Sequence, residues 1–236
     1  MNVAGKKAVV FGGTSGIGLA TVRMLAEAGA SVVAISRDPS KAGNLPSGVS
    51  AKSCDVRDAA AVEVLLNDIG PIEILVSAAT GGKRAIGPFV EMSIDGFKGS
   101  FDKLWGYATV VRHGARHVKD GGSITLLTGS PAREFPKDLA ALSAVGAAVE
   151  AFVKVVAKEV APRIRINAVS PGLIDTPMHG QQDQAKRAEG FRDMTKGNLI
   201  PRAGSADEVA DAVMFAIRND FVTGTIIDVD GGSLLG

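Results

Sequence analysis

The chain contains one cysteine, Cys54, among its 236 residues. A lone thiol excludes an intramolecular disulfide framework and fits a reducing compartment. Net charge is almost absent as well, with 26 Lys+Arg against 25 Asp+Glu. Nothing electrostatic therefore favours a nucleic-acid partner or an anionic membrane surface. The opening stretch, MNVAGKKAVVFGG, has an apolar run far shorter than a signal-peptide core or a spanning helix requires. The expectation is a cytoplasmic protein whose partner is a small-molecule substrate, with neither nucleic acid nor membrane involved. Aromatic residues make up only 5%, and Tyr107 is the one tyrosine. No break in composition marks a domain boundary and no period marks a repeat, so residues 1–236 are expected to form one domain.

Glycine is plentiful, at 29 residues, and short Val/Ile/Leu runs recur from end to end. KKAVVFGG, SVVAIS, VSAKSCDV, IEILVSAA, SITLLTG from Ser123, IRINAVSPG and TGTIIDVDGG read as seven buried strands. Amphipathic runs separate them: IGLATVRMLAEAGA, closed by Gly29; RDAAAVEVLLNDIG; a long one over residues 93–118; and LSAVGAAVEAFVKVVAKEV. Unbroken apolar strands alternating with helices specify an α/β Rossmann fold, a doubly wound seven-stranded parallel sheet. Residues 81–88 and 177–201 have no clear pattern. The second segment is either a helical lid over a site or a solvated pair of surface helices.

VVFGGTSGIGLA follows the first strand and opens the first helix. Glycine at 12, 16 and 18 lets the backbone turn tightly and approach a pyrophosphate resting on the helix N-terminus, with Thr14, Ser15 and Ile17 completing the loop. The spacing, Gly12 then Gly16 then Gly18, resembles that of the short-chain dehydrogenase/reductase family. Other landmarks extend the resemblance over nearly the whole chain. CDVRD resembles the family's adenine-contacting pair, at Asp55 and Val56. ILVSAAT stands where the family has Asn-Asn-Ala-Gly, which puts Ala78, Ala79 and Thr80 beside the cofactor. INAVSPGLIDTPM resembles the Pro-Gly segment against the nicotinamide, with Pro171, Gly172, Ile174 and Thr176. The resemblance also implies a homodimer or homotetramer built on paired long helices.

The second strand ends in Ser36-Arg37, where an NAD enzyme presents an acidic side chain to the ribose hydroxyls. Arg37 can pair with a 2′-phosphate through a charge-assisted contact, so NADP(H) is the expected cofactor. The alternative is that Arg37 is a surface charge and Asp38 takes the acidic role.

The catalytic set that the family would supply is missing. Aligned on the segment from Ala147 to Gly172, the Tyr position falls on Leu142 and the Lys position on Gly146. The Ser position falls on Gly129, beside Ser130, and the Asn position on Lys103. No Tyr-x-x-x-Lys occurs anywhere in the sequence. Lys103 is the candidate replacement, hydrogen-bonding a substrate oxygen and protonating it, with Ser130 or Thr128 as a second donor. Burial should lower its pKa toward neutrality. Against this, Lys103 could face solvent or pair with Asp102 or Asp95. Two functions stay open: an NADP-dependent oxidoreductase acting on a carbonyl or alcohol with a non-standard proton donor, or a non-catalytic NADP(H)-binding protein. His113 and His117 lack a third ligand at a telling spacing, so no metal is expected. His179 is placed at the border of the cleft. The expected lining shows no clustered anchor for an acidic or sugar substrate.

Overall fold

A computed structural model describes residues 1–42, 44–80, 82–180 and 184–235. The chain begins with β1 (Lys7–Phe11), α1 (Gly16–Glu27), β2 (Ser31–Ser36), β3 (Ser50–Ser53), α2 (Ala59–Ile69) and β4 (Ile72–Ser77). It continues through α3 (Ile94–Ser100), α4 (Asp102–Gly114), β5 (Val118–Leu127), α5 (Pro131–Glu134), α6 (Ala140–Val160) and β6 (Arg165–Pro171). The last part holds β7 (Ile174–Asp175), α7 (Gln184–Thr195), β8 (Gly204–Ser205), α8 (Ala206–Arg218) and β9 (Ile226–Val229).

Seven strands form one sheet in the order β3-β2-β1-β4-β5-β6-β9, and every neighbouring pair is parallel. The strand order reverses beside β1, where the chain crosses from one half of the sheet to the other. A ligand crevice opens at such a point, outside the C-terminal strand ends. Both faces are covered, which is why the strands read as continuous apolar runs. Val62 and Leu66 of α2, Tyr107 and Val110 of α4, and Val149 and Val153 of α6 fill one face. Val22 and Leu25 of α1, with Val209, Val213 and Ile217 of α8, fill the other. Each of these side chains contributes about 1.5–3 kcal/mol by leaving water. Helix α8 starts at a capping box, in which Ser205 Oγ accepts from Glu208 N at 3.2 Å and Glu208 Oε2 accepts from Ser205 N at 2.8 Å.

The elements differ from the sequence expectation in three places. The run over residues 93–118 is two helices, because Gly96 and Gly99 weaken the first and the chain turns at Phe101 (ψ −8°) before α4 begins. Strand β3 stops at Ser53, and Cys54 to Val56 leave the sheet toward α2. Strand β5 starts at Val118, five residues before Ser123, with a register shift where it crosses from Ile72 to Ile74. A short β7–β8 ribbon joins Ile174 to Gly204 outside the main sheet. Among the described residues α6 alone is long and apolar enough to cross a bilayer, yet half of its most apolar window is buried inside the protein.

Candidate active site

The glycine turn is shaped by contacts that permit no side chain. Gly12 has φ +76°, and a Cβ there would meet Ala78 C and Ala79 N at 2.8 Å. Its N–H donates to Ile35 O at 2.7 Å, and Ala78 N donates to Phe11 O at 2.8 Å, tying the turn to the ends of β2 and β4. A Cβ on Gly16 would stand 3.6 Å from Thr176, so the turn faces the segment that follows β6. Ser15 caps α1 with no side-chain bond, which leaves the first helical N–H groups free for an anion. Thr14 is buried, Ser15 is exposed, and Ile17 and Gly18 lie in the first turn of α1. Ala79 and Thr80 are half-buried beyond β4, Pro171 and Gly172 are half-buried at the end of β6, and Ile174 is buried in β7.

At the end of β2, Ser36 Oγ is buried without a hydrogen-bond partner. Arg37 is exposed, and its guanidinium makes no hydrogen bond or ion pair among the described residues. Asp38 is engaged locally: it accepts from Ser40 N at 3.2 Å and Ser40 Oγ at 2.5 Å and pairs with Lys41 at 3.0 Å. Asp55 accepts from Arg57 Nε at 3.0 Å and Nη2 at 2.6 Å, and this guanidinium holds its carboxyl below the usual range. Val56 is buried where a side chain on Gly106 of α4 would strike it. An orphaned hydroxyl, a free helix N-terminus and a cradle closed to side chains together fit a dinucleotide.

The other half of the crevice is built around Lys103. Lys103 points inward from the first turn of α4, and its Nζ donates to Thr128 O at 3.0 Å. The ammonium also lies 5.8 Å from the Tyr107 ring centroid. Burial, and then the positive charge of Arg84, lower its pKa to about 8. Neither acidic partner weighed for it is used: Asp102 lies 3.5 Å from Arg57, and Asp95 lies 3.8 Å from Lys98. Thr128 Oγ1 donates to Gly146 O at 3.1 Å, so this hydroxyl is already committed. Ser130, at the start of α5, is 3% exposed, and its hydroxyl makes no hydrogen bond among the described residues. Its N–H donates to Pro171 O at 2.9 Å.

Helix α5 packs where a larger residue at position 146 would begin. A Cβ on Gly146 would lie 2.8 Å from Ala132 Cβ and 3.3 Å from Ala132 Cα. Arg133 clamps α5 in place, reaching the buried Glu150 of α6 at 3.1 Å and gripping Asp228 of β9 with both terminal nitrogens. Tyr107, the sole tyrosine, is fully buried on α4. Its hydroxyl lies toward the Leu127 backbone without a well-formed hydrogen bond, and burial raises its pKa. It is no stand-in for an exposed phenol.

One feature was not legible in the sequence. Arg84, from the unpatterned 81–88 loop, comes close enough to Lys103 and His179 for its charge to disfavour protonation of both. Its only sequence signal is the basic pair Lys83-Arg84 just beyond β4. His179 packs edge-on against Phe191 of α7 at 5.5 Å. Phe135 and Pro136, with Phe89, Ser143, Ala144 and Ala147, also line an open, mainly apolar groove of ≈ 520 Å³ along α6. His113 lies 3.7 Å from Glu63, and no group of three metal-ligating side chains occurs among the described residues. Gly81 and residues 181–183 of the polar segment lie outside the described residues.

A family model described as enoyl-(acyl carrier protein) reductase matches residues 12–233. L-xylulose reductase of Bos taurus is 30% identical over 246 residues, covering 99% of this chain and 98% of that protein. A solved small-chain dehydrogenase in complex with NADPH is 34% identical with a TM-score of 0.83, covering 98% of this chain and 100% of its own. The apo structure of a short chain oxidoreductase from Pseudomonas aeruginosa PAO1, containing an atypical catalytic center, is 27% identical with a TM-score of 0.84 and 96% coverage of both chains.

Proposed function

The chain belongs to the short-chain dehydrogenase/reductase family, and from that premise we propose that it is an NADP-dependent oxidoreductase acting on carbonyl or alcohol substrates, with Lys103 in place of the phenol–amine pair. The observation that carries the reading is the placement of the Lys103 ammonium against Thr128 O, the residue whose hydroxyl rests on Gly146. The glycine turn from Gly12 to Gly18 and the free N-terminus of α1 hold the pyrophosphate. Ser36 and Arg37 take the 2′-phosphate, a preference supported by the local engagement of Asp38. Asp55 and Val56 border the adenine; Ala78, Ala79, Thr80, Pro171, Gly172, Ile174 and Thr176 wall the nicotinamide end. When bound, NADPH supplies a hydride to the carbonyl carbon.

Lys103 donates a hydrogen bond to the carbonyl oxygen and then its proton. A group with a pKa of about 8 is mostly protonated near neutrality yet acidic enough to give the proton up. Ser130 supplies the second donor that holds the same oxygen. An NADPH-bound neighbour and a relative named as a reductase support both cofactor and reaction class. Exposed apolar side chains on the paired helices, Trp105 of α4 and Val155 of α6, support self-association as a dimer or tetramer.

The test pairs binding with turnover. NADPH should bind at least tenfold more tightly than NADH, and Arg37→Glu should abolish that preference. Lys103→Met should eliminate NADPH oxidation across a panel of diketones, quinones and aldehydes while leaving NADPH affinity within about threefold. Equal affinity for the two nucleotides, or undiminished turnover in Lys103→Met, defeats the proposal. One observation favours a second reading: Ala132 leaves no room for a side chain to start at Gly146. A non-catalytic NADP(H)-binding protein would bind NADPH and oxidise it with no member of that panel.

A further inference from the structure

The polar helix α7 is tied to the chain that follows β7 by one guanidinium. Residues 187, 191 and 195 are four apart and share one face of the helix. Phe191 and Thr195 are buried on that face, whereas Glu189, Arg192 and Asp193 are exposed. A helix that buries so little apolar surface is held only weakly by the hydrophobic effect. Arg187 adds a polar attachment.

Arg187 Nη1 donates to Gly180 O at 2.7 Å, and Nη2 donates to Thr176 O at 2.6 Å and to the Asp175 carboxylate. Its Cζ also lies 5.5 Å from the Phe191 ring centroid, and that ring meets His179 edge-on. Acceptors on Asp175, Thr176 and Gly180 thus converge on one side chain that is 18% exposed. A planar fork can reach acceptors lying in different directions, whereas an ammonium has all its donors on one nitrogen. Arg187 Nε is buried without a partner, so the group is committed to these acceptors at the cost of one unmade bond.

The stretch so held is anchored at its other end by the β7–β8 ribbon, where Gly204 N donates to Leu173 O at 2.9 Å. Thr176 lies between the two anchors, and its side chain stands 3.6 Å from a Cβ built on Gly16 of the glycine turn. Thr176 O also accepts from His179 N at 3.1 Å. Arg187 therefore grips the carbonyl of the very residue that faces the glycine turn. We infer that Arg187 is a positioning residue for the nicotinamide half of the cofactor, fixing through Thr176 how close that wall stands to the turn. The inference rests on the nucleotide-binding reading and adds the residue that sets one wall. Without Arg187 the stretch from 175 to 180 is free to move away, and the nicotinamide half loses its support. The adenosine half, bordered by the ends of β2 and β3, keeps its own.

Calorimetric titration of NADP⁺ and of 2′,5′-ADP, which comprises the adenosine half alone, separates the two ends without turnover. Arg187→Met should weaken NADP⁺ by about tenfold or more and 2′,5′-ADP by less than about twofold. Arg187→Lys keeps the charge toward Asp175 but not the fork. It should lose a smaller part of the NADP⁺ affinity with the same split, and it carries the test if the methionine variant does not fold. In a Thr176→Ala background, where the wall has already lost its side chain, Arg187→Met should weaken NADP⁺ by less than about threefold further. Unchanged NADP⁺ affinity in both Arg187 variants, or an equal loss of both ligands, overturns the inference. So does the full tenfold loss repeated on Thr176→Ala, which would place Arg187 directly on the nucleotide. A wild-type protein that binds neither ligand removes the nucleotide-binding reading itself, and with it any cofactor for Arg187 to position.

Discussion

Lys103→Met should change how stability depends on pH, and the size of the change follows from where the ammonium lies. In the unfolded chain this lysine titrates near its ordinary 10.5; in the folded protein burial and Arg84 bring it to about 8. Below the lower value both states are protonated, and the folded state bears the full penalty of a desolvated charge. Between the two values the folded state has released its proton while the unfolded state still holds one. Stability therefore rises with pH through this window and levels off above 10.5. The gap corresponds to about 3 kcal/mol in full, of which about 2–3 kcal/mol falls between pH 7 and 10. Methionine keeps most of the side-chain volume and has no proton to titrate. Urea unfolding of both proteins at half-unit pH intervals isolates the difference, since every other group cancels in the subtraction. Wild-type stability should climb relative to Lys103→Met by that amount, equivalent to a relative gain in Tm of about 5–10 °C for a chain of this length. A flat difference curve would mean the ammonium is hydrated and ordinary, and the case for Lys103 as an acid near neutrality would fail.

Other outcomes follow from the packing around it. Gly146→Ala adds a methyl 2.8 Å from Ala132 Cβ, so overpacking of about 1–3 kcal/mol should outweigh the roughly 1 kcal/mol gain in helix propensity. Thermal unfolding should show a lower Tm in the wild-type background and a higher one in an Ala132→Gly background; a rise in both would show that α5 does not bear on Gly146. Tyr107→Phe deletes a buried hydroxyl without a well-formed partner, so stability should hold or improve by up to about 1 kcal/mol in chemical denaturation. NADPH oxidation by that variant should stay within about twofold of wild type, and a larger loss would bring the phenol back into the chemistry.

The sequence by itself determined the sheet and the glycine turn between β1 and α1. These depend on local and periodic features: apolar runs bounded by helices, and a glycine pattern between the first strand and helix. Such signals survive being read one segment at a time because backbone conformation and strand burial are set within a few residues. It also determined that Leu142 and Gly146 carry neither phenol nor amine, since no arrangement in space can supply missing atoms. Tertiary structure decided what packs against Gly146. Ala132 meets Gly146 only because Arg133 ties α5 to Glu150 and Asp228, residues far apart along the chain. The loop after β4 keeps its course because Ser100 and Asp138 hold Ala85 and Gly87 from either side. The pKa of Lys103 is likewise a property of its surroundings. Desolvation and charge act through space, so they come into being only when distant segments pack together.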